Sequence, residues 1–132
     1  MLYTMMQVCK KTNMTYQALK FYCNEGLVPN VKRDKNNRRV FDERDVAWIS
    51  SLTCLKKCGM SIQEMKEYLS LCLLGEATIP QRKEMLAQKQ EALREQMKEL
   101  EESIAYIDWK QNFYDEIISG KRPYESNVSS AE

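Results

Sequence analysis

A chain of 132 residues with 43% apolar and 30% charged residues fits one small domain plus an extension, and it has no run of about 18 apolar residues to span a membrane. The absence of histidine excludes Ser-His and Cys-His catalysis and the usual His-bearing zinc sites. The net charge of +1 conceals a split: residues 1–41 hold eight Lys/Arg against two acids (+6), and the remainder holds twelve against seventeen (−5). A basic end of this kind suits a polyanion, with an incidental basic surface as the alternative.

The cysteines and the N-terminus indicate the cellular compartment of the protein. Five cysteines form an odd set without a C-x-x-C pair, and residues 1–4 lack the charged and apolar regions of a secretory signal. Free thiols in a cytoplasmic protein are therefore expected. We predict no enzymatic activity, no metal and no cofactor.

Two short helices separated by a three-residue turn are predicted first. Thr4 and Gln7 form a capping box, and Asn13 tolerates the left-handed conformation in which the first helix would end. Thr15 can cap a second helix that Gly26 ends. The helical spacing predicts the inward side chains Met5, Val8, Cys9, Ala18, Leu19 and Tyr22. This arrangement fits a helix-turn-helix.

A small two-stranded wing and two further helices are predicted next. Turn-forming residues 34–37 are flanked by the apolar Val31, Val40 and Phe41, which favours the wing. Asp42 can cap a third helix that ends near Gly59, and Ser61 a fourth that ends at Gly75. The predicted core stripes of these two helices are Val46, Ile49, Leu52 and Leu55, then Ile62, Met65, Leu69 and Cys72.

Residues 81–119 contain no helix breaker and predict one long last helix, with Thr78 as its cap. Apolar residues follow a heptad pattern along it, and the predicted dimerisation residues are Leu86, Leu93, Met97, Leu100, Ile104 and Ile107. A lone helix cannot bury such a seam, so a partner chain in a homodimer is the simplest interpretation. Packing of this helix against the four short helices is the alternative.

The second helix carries the predicted DNA contacts, because its first residues meet base edges in a helix-turn-helix. Gln17 can pair with adenine, while wing lysines and arginines would contact phosphates or a minor groove. Core packing is the alternative for the aromatic side chains, and the spacing favours Tyr22 as the inward one. The full predicted set is Thr15, Tyr16, Gln17, Lys20, Phe21, Tyr22, Lys32, Arg33, Arg38 and Arg39.

Cys54 and Cys58 lie four residues apart and share one face of the third helix. The C-terminal end of a helix disfavours a thiolate, whereas the nearby Lys56 and Lys57 favour one. From the residues alone, two buried structural cysteines are favoured over a reactive thiol. A metal site would lack a third ligand.

Several runs agree with one known family in residue type, order and spacing: Tyr3-Thr4-Met5-Met6-Gln7-Val8, Leu19-Lys20-Phe21-Tyr22, Glu25-Gly26-Leu27-Val28-Pro29, Arg39-Val40-Phe41 and Gly59-Met60-Ser61-Ile62. From residue 2 to about 118, the chain resembles the MerR family of bacterial transcription regulators. The resemblance implies a dimer joined by an antiparallel coiled coil of the last helices. It also implies palindromic promoter DNA that is bent and untwisted in response to an effector, so that RNA polymerase can use it.

The chain departs from the family at two motifs. Lys20-Phe21-Tyr22-Cys23 stands where the family has Arg-Tyr-Tyr-Glu, and Asn37-Arg38-Arg39-Val40-Phe41 stands where it has Gly-Tyr-Arg-x-Tyr. Hydroxyl groups and a bidentate arginine fork are absent at these positions. We therefore expect the phosphate contacts to differ and the fold to be kept.

Residues 54–61 and 71–75 resemble the NmlR/AdhR branch of that family, which responds to aldehydes and other thiol-reactive species through one cysteine. This resemblance implies that Cys54 senses the effector in an electrophile stress response. Metal-sensing members carry a cysteine at the start of the dimerisation helix, and residues 76–81 contain none.

The predicted fold class is mainly α. A winged helix-turn-helix DNA-binding head of four short helices plus a small β wing covers residues 1–75, followed by a linker (76–80), a long coiled-coil dimerisation helix (81–119) and a disordered tail (120–132). The predicted function is a homodimeric regulator that binds double-stranded promoter DNA and affects RNA polymerase through that DNA. The alternative is a coiled-coil protein-interaction adaptor with an incidental basic head.

Overall fold

The computed structural model describes residues 1–128, which hold five α-helices and three short strands. The helices are α1 (Met5–Thr12), α2 (Tyr16–Asn24), α3 (Glu43–Lys57), α4 (Ile62–Leu73) and α5 (Ile79–Ile118), and the strands are β1 (Tyr3–Thr4), β2 (Lys32–Arg33) and β3 (Arg39–Phe41). Contacts divide the chain into an N-terminal unit, Met1–Glu91, and a C-terminal unit, Ala92–Glu132. Within the described residues, no helix is both long enough and apolar enough to cross a membrane.

The predicted helix caps are confirmed at the starts of the first four helices. Thr4 Oγ1 accepts a hydrogen bond from the Gln7 backbone N–H at 3.2 Å, while Gln7 Oε1 accepts from the Thr4 N–H at 2.9 Å. Thr15 caps α2, and reciprocal capping boxes begin at Asp42 and Ser61. These bonds satisfy N–H groups that have no partner within a helix, and each cap stabilises its helix by about 1 kcal/mol.

The turn between α1 and α2 depends on one left-handed residue. Asn13 has φ +56°, and its N–H donates to the Cys9 carbonyl oxygen, which ends α1 as predicted. Asn adopts this conformation more readily than most residues because its short polar side chain can hydrogen-bond locally. Its position leaves the short turn that a helix-turn-helix needs.

The wing belongs to a three-stranded antiparallel sheet, not to the predicted two-stranded one. β3 lies in the centre, with Tyr3 opposite Phe41 on one side and Lys32 opposite Val40 on the other. The sequence prediction missed β1 because a two-residue strand has no detectable alternation. Thr4 therefore ends a strand and caps α1 at once.

The core of the N-terminal unit is formed by side chains from the first four helices, from β1 and β3, and from the segments that follow α2 and α3. The largest fully buried side chains are Phe41, Leu19, Leu27, Ile49, Leu52, Met65 and Val8. Burial of one such side chain stabilises the fold by about 1.5–3 kcal/mol relative to exposure. At the edge of this core, Trp48 Nε1 donates to the Leu27 carbonyl oxygen at 2.7 Å, and its ring stacks on Tyr68.

Residues 76–80 differ from the predicted linker. A 3₁₀ turn over Glu76–Thr78 leads directly into α5, which begins at Ile79. The Thr78 hydroxyl does not have the predicted capping role, since it is buried and donates to the Leu71 carbonyl oxygen at 2.5 Å. The turn is fixed further by Arg82, whose Nη2 donates to the Gly75 carbonyl oxygen at 2.5 Å. The segment is thus an ordered connection.

The N-terminal unit extends into α5, beyond the predicted boundary at residue 75. Met85 packs against the core, and Lys89 Nζ lies 2.9 Å from Glu64 Oε2 and 3.3 Å from the Gly59 carbonyl oxygen. These contacts tie the first part of α5 to α4 and to the turn before it.

The C-terminal unit consists of the rest of α5 and a short extension. Gly120, at φ +83°, ends the helix, and Arg122 pairs with Glu116 at 3.1 Å while lying over the Phe113 ring. Residues 123–128 form neither helix nor strand. The last four residues of the predicted disordered tail, 129–132, lie outside the described residues.

Candidate nucleic-acid interface

The start of α2 presents an exposed ridge of mixed chemistry. Thr15, Gln17 and Lys20 are exposed, and the rings of Tyr16 and Phe21 are 44% and 46% exposed. These five residues occupy the positions predicted for DNA contacts. Together they offer hydroxyl, amide, ammonium and aromatic groups on one short helix.

Tyr22 is a correction to the predicted contact set. Its side chain is only 3% exposed and belongs to the core, as the helical spacing also indicated. Burial raises the pKa of its phenol. The ring therefore packs inside the N-terminal unit and is not available as a DNA-contacting surface.

Two arginines of the wing, Arg33 and Arg39, donate hydrogen bonds to uncharged oxygen atoms. Arg33 and Arg39 face each other across β2 and β3. Arg33 Nη1 donates to the Asn37 carbonyl oxygen at 2.9 Å, and Arg39 Nη2 donates to Asn24 Oδ1 at 2.7 Å. The second bond joins the wing to the last residue of α2.

The turn of the wing is built around Asp34. Its Oδ1 accepts from the backbone N–H groups of Asn36 at 2.9 Å and Arg38 at 3.0 Å, and Asn37 has φ +60°. This confirms the turn predicted for residues 34–37. The carboxylate orders the turn that presents Arg38, so the one acid of the wing has a local structural role.

A cleft of about 440 Å³ lies between the ridge on α2, the start of α1 and the wing. Tyr16 and Met5 line one side, and Arg33, Arg38 and Arg39 line the other. The cleft thus contains three guanidinium groups and one carboxylate, that of Asp34, which is bonded to two backbone N–H groups of the wing turn.

Lys32, which was predicted as a phosphate contact, is bound to partners within the protein. Its ammonium lies 2.9 Å from Asp42 Oδ2 and 3.3 Å from Asp45 Oδ2, and it donates to the Asn30 carbonyl oxygen at 3.0 Å. Hydrogen bonds to Asp42 and Asp45 raise the pKa of Lys32. All three of its donors are used within the protein, and Asp45 is itself buried.

The second cleft, of about 500 Å³, lies on another side of α2 and was missed by the sequence analysis. Gln17 and Phe21 line it together with Lys56 and Ser61, which lie at the end of α3 and the start of α4. Lys56 and Lys57 in a last helical turn, followed by a capping serine, formed a signal that could have indicated it. The ridge on α2 thus lies between two clefts that both contain cationic side chains.

The cysteines do not share one environment. Cys54 is exposed and Cys58 half-buried, so the predicted burial is wrong for Cys54 and only partly correct for Cys58. Burial raises the pKa of Cys9 and of Cys23, and for Cys23 the nearby Arg39 and Arg33 act in the opposite direction. Within residues 1–128, no group of three or more acidic or cysteine side chains could hold a metal ion.

Comparison with protein families gives two overlapping matches. Residues 3–72 match the sequence model described as MerR HTH family regulatory protein, and residues 46–109 match the one described as MerR, DNA binding. The first match includes the helix-turn-helix, the wing and α4 up to Cys72.

Among protein sequences, the chain is 38% identical to the HTH-type transcriptional regulator AdhR of Bacillus subtilis over 89 residues, which are 67% of this chain and 64% of that relative. It is 33% identical over 114 residues to an uncharacterised HTH-type transcriptional regulator of Haemophilus influenzae, covering 86% and 84% of the two chains. Among solved structures, it is similar to HiNmlR, a MerR family regulator lacking the sensor domain, in a crystal bound to promoter DNA. That similarity has a TM-score of 0.76, with 32% identity and 90% of each chain covered.

Proposed function

Because this chain belongs to the MerR family of helix-turn-helix regulatory proteins, we propose that it regulates transcription by binding promoter DNA as a homodimer. Thr15, Tyr16 and Gln17 would meet base edges in a major groove. The observation that carries the proposal is the cleft in which Tyr16 faces the wing arginines. HiNmlR, to which the chain is similar over 90% of its length, was crystallised on promoter DNA.

Backbone contacts would come from both sides of the ridge. On one side we assign Arg33, Arg38 and Arg39 to phosphates, and on the other Lys56 with the start of α4. Lys20, on the exposed ridge, would contact a phosphate directly. In this arrangement the helix reads sequence while its two flanks fix its register on the duplex.

The proposed dimer rests on exposed apolar side chains of α5. All six predicted dimerisation residues are exposed in the single chain: Leu86, Leu93, Met97, Leu100, Ile104 and Ile107, at between 38% and 64%. A second copy would cover them in a coiled coil, whose antiparallel sense is what the family resemblance implies. A dimer would carry two helix-turn-helix units to a palindromic site, and a change in the DNA would then reach RNA polymerase indirectly.

The proposal is tested by measuring affinity as a function of salt. Fluorescence anisotropy with a duplex from the region upstream of its own gene should give a steep loss of affinity between about 50 and 200 mM salt. Gln17→Ala should reduce the preference over a scrambled duplex by about tenfold. Arg38→Ala should instead weaken both duplexes and lower the salt slope by about 0.9.

Lys83→Ala is the matched control, since it removes one exposed charge from α5. It should leave both measurements unchanged. Equal affinity of the wild type for both duplexes would contradict sequence-specific binding and favour the adaptor function.

For effector sensing we propose that an aldehyde or another electrophile reacts with Cys54. The thiol is exposed, and Lys56 and Lys57 follow it on the same helix. Cys9 is buried, and burial raises its pKa, which lowers its reactivity.

Two measurements test this sensing role. Mass spectrometry after brief treatment with iodoacetamide should show Cys54 modified before Cys9. In a transcription assay with formaldehyde, Cys54→Ser should abolish the response that wild type and the matched Cys58→Ser variant retain. A full response in Cys54→Ser would end the hypothesis without affecting the DNA-binding proposal.

A further inference from the structure

The two neighbouring cations of strand β2, Lys32 and Arg33, have different partners. Lys32 is neutralised by Asp42 and Asp45. Arg33 and its cross-strand neighbour Arg39 have no carboxylate within 4.0 Å in the part of the chain that the structure describes. The wing therefore contains one cation that is paired with carboxylates and two that are not.

The two arginines face each other in the antiparallel register of β2 and β3. Like charges directly opposite in such a pair destabilise the sheet. No carboxylate offsets this repulsion, because each guanidinium donates to a neutral oxygen: Arg33 to the Asn37 carbonyl oxygen and Arg39 to Asn24 Oδ1. Both also line the cleft beside Tyr16. Asp34 lines this cleft too, but its carboxylate is bonded to the backbone N–H groups of Asn36 and Arg38 and lies more than 4.0 Å from either guanidinium group.

We propose that Arg33 and Arg39 form a clamp for one DNA backbone phosphate, and that Asn24 is its positioning residue. This inference rests on the proposed function and adds a site within it. Asn24 is the last residue of α2, and its amide oxygen holds Arg39 at 2.7 Å without neutralising it. A carboxylate at the same position would hold the guanidinium equally well and cancel the charge that the phosphate needs.

The bond also relates the clamp to base recognition. Arg39 is half-buried and hydrogen-bonded to α2, so part of its rotamer freedom is already lost before DNA binds. The entropy lost on binding a phosphate is therefore smaller than for an unrestrained arginine. Burial raises the pKa of Cys23, the neighbour of Asn24, while the charges of Arg39 and Arg33 act to lower it. This agrees with both guanidinium groups lying near this end of the helix. The phosphate would thus be held in a fixed register with Gln17, at the other end of α2.

The decisive variant is Asn24→Asp, which keeps the hydrogen-bond acceptor and adds a charge. Its melting temperature should stay close to that of wild type, while affinity for the upstream duplex should fall about tenfold and the salt slope should fall by about 0.9. A purely structural role for Asn24 predicts unchanged DNA binding, because the link to Arg39 survives. Asn112→Asp, which adds the same charge on α5, is the control and should bind as wild type does.

A double-mutant cycle separates position from charge. Asn24→Ala should weaken binding in the wild-type background and have almost no effect in Arg39→Ala, because no guanidinium remains to be positioned. Additive effects, or an Asn24→Asp variant with unchanged affinity and salt slope, would overturn the clamp. Failure of the wild type to bind any duplex would instead overturn the proposed function, so the two results are distinguishable.

Discussion

The two units of the chain differ in how far each covers its own apolar side chains. In the N-terminal unit, side chains from the first four helices and β3 meet in one core, and several are fully buried. In the C-terminal unit, Met97, Leu100, Ile104 and Ile107 are all more than half exposed. Both units show a regular apolar pattern in the sequence. The comparison teaches that such a pattern leads to burial where a second element lies within reach, whereas in the single chain the seam residues of the C-terminal unit stay exposed.

The largest effect is expected where the C-terminal unit is made unable to pair. Ile104→Glu places a charge in the proposed seam of each protomer, and the dimer dissociation constant should rise at least about 10,000-fold, because two buried carboxylates without partners are costly. Analytical ultracentrifugation measures this directly. Ala105→Glu adds the same charge at an exposed position outside the seam and should leave the dimer intact. A wild-type protein that is monomeric at every concentration would contradict the proposed pairing of α5 with a second copy.

A smaller effect is expected from two phenylalanines of the N-terminal unit. Phe41 is fully buried, and Phe41→Ala should lower the free energy of unfolding by about 3–5 kcal/mol, measured by urea denaturation. Phe21 is 46% exposed, so Phe21→Ala should leave the stability within about 0.5 kcal/mol of wild type. Similar losses for both variants would mean that the ridge on α2 is part of the core.

The smallest effect concerns polar links in the N-terminal unit. The Asp45 backbone N–H and the Lys32 ammonium hold the pKa of Asp42 at about 2. A lowered folded-state pKa stabilises the fold above the unfolded value of about 3.9, and this contribution is lost as the pH falls toward 2. Circular dichroism should show the melting temperature falling more steeply over this range for wild type than for Asp42→Asn, which keeps a capping side chain. Parallel pH profiles would show that the carboxylate charge does not stabilise the unit.

Local signals explain what the sequence predicted well. Thr4, Thr15, Asp42 and Ser61 each accept from a backbone N–H three residues later, so the whole interaction can be seen within one helical turn. The family resemblance then supplied the order of the elements. The fold class and the exposed ridge on α2 followed from these two sources.

Non-local pairing explains what the sequence did not reveal. β1 pairs with β3 across almost the whole N-terminal helix-turn-helix, and the partners of Lys32 lie ten and thirteen residues after it. Neither pairing leaves a trace in local patterns. Cys54 is different, because at about 100° per residue it lies about 170° from the mean direction of the core stripe of α3. Its exposure was therefore predictable from spacing.

The central position of β3 affects how the wing can change in evolution. β3 pairs with β2 on one side and with β1 on the other, so its register does not depend on the wing turn alone. Residues added to the tip between Asp34 and Arg38 would lengthen the wing while Arg39 stays opposite the same end of α2. A residue inserted between Arg39 and Phe41 would turn Val40 or Phe41 out of the core. The wing tip can thus vary its reach along DNA while the strand behind it stays constant.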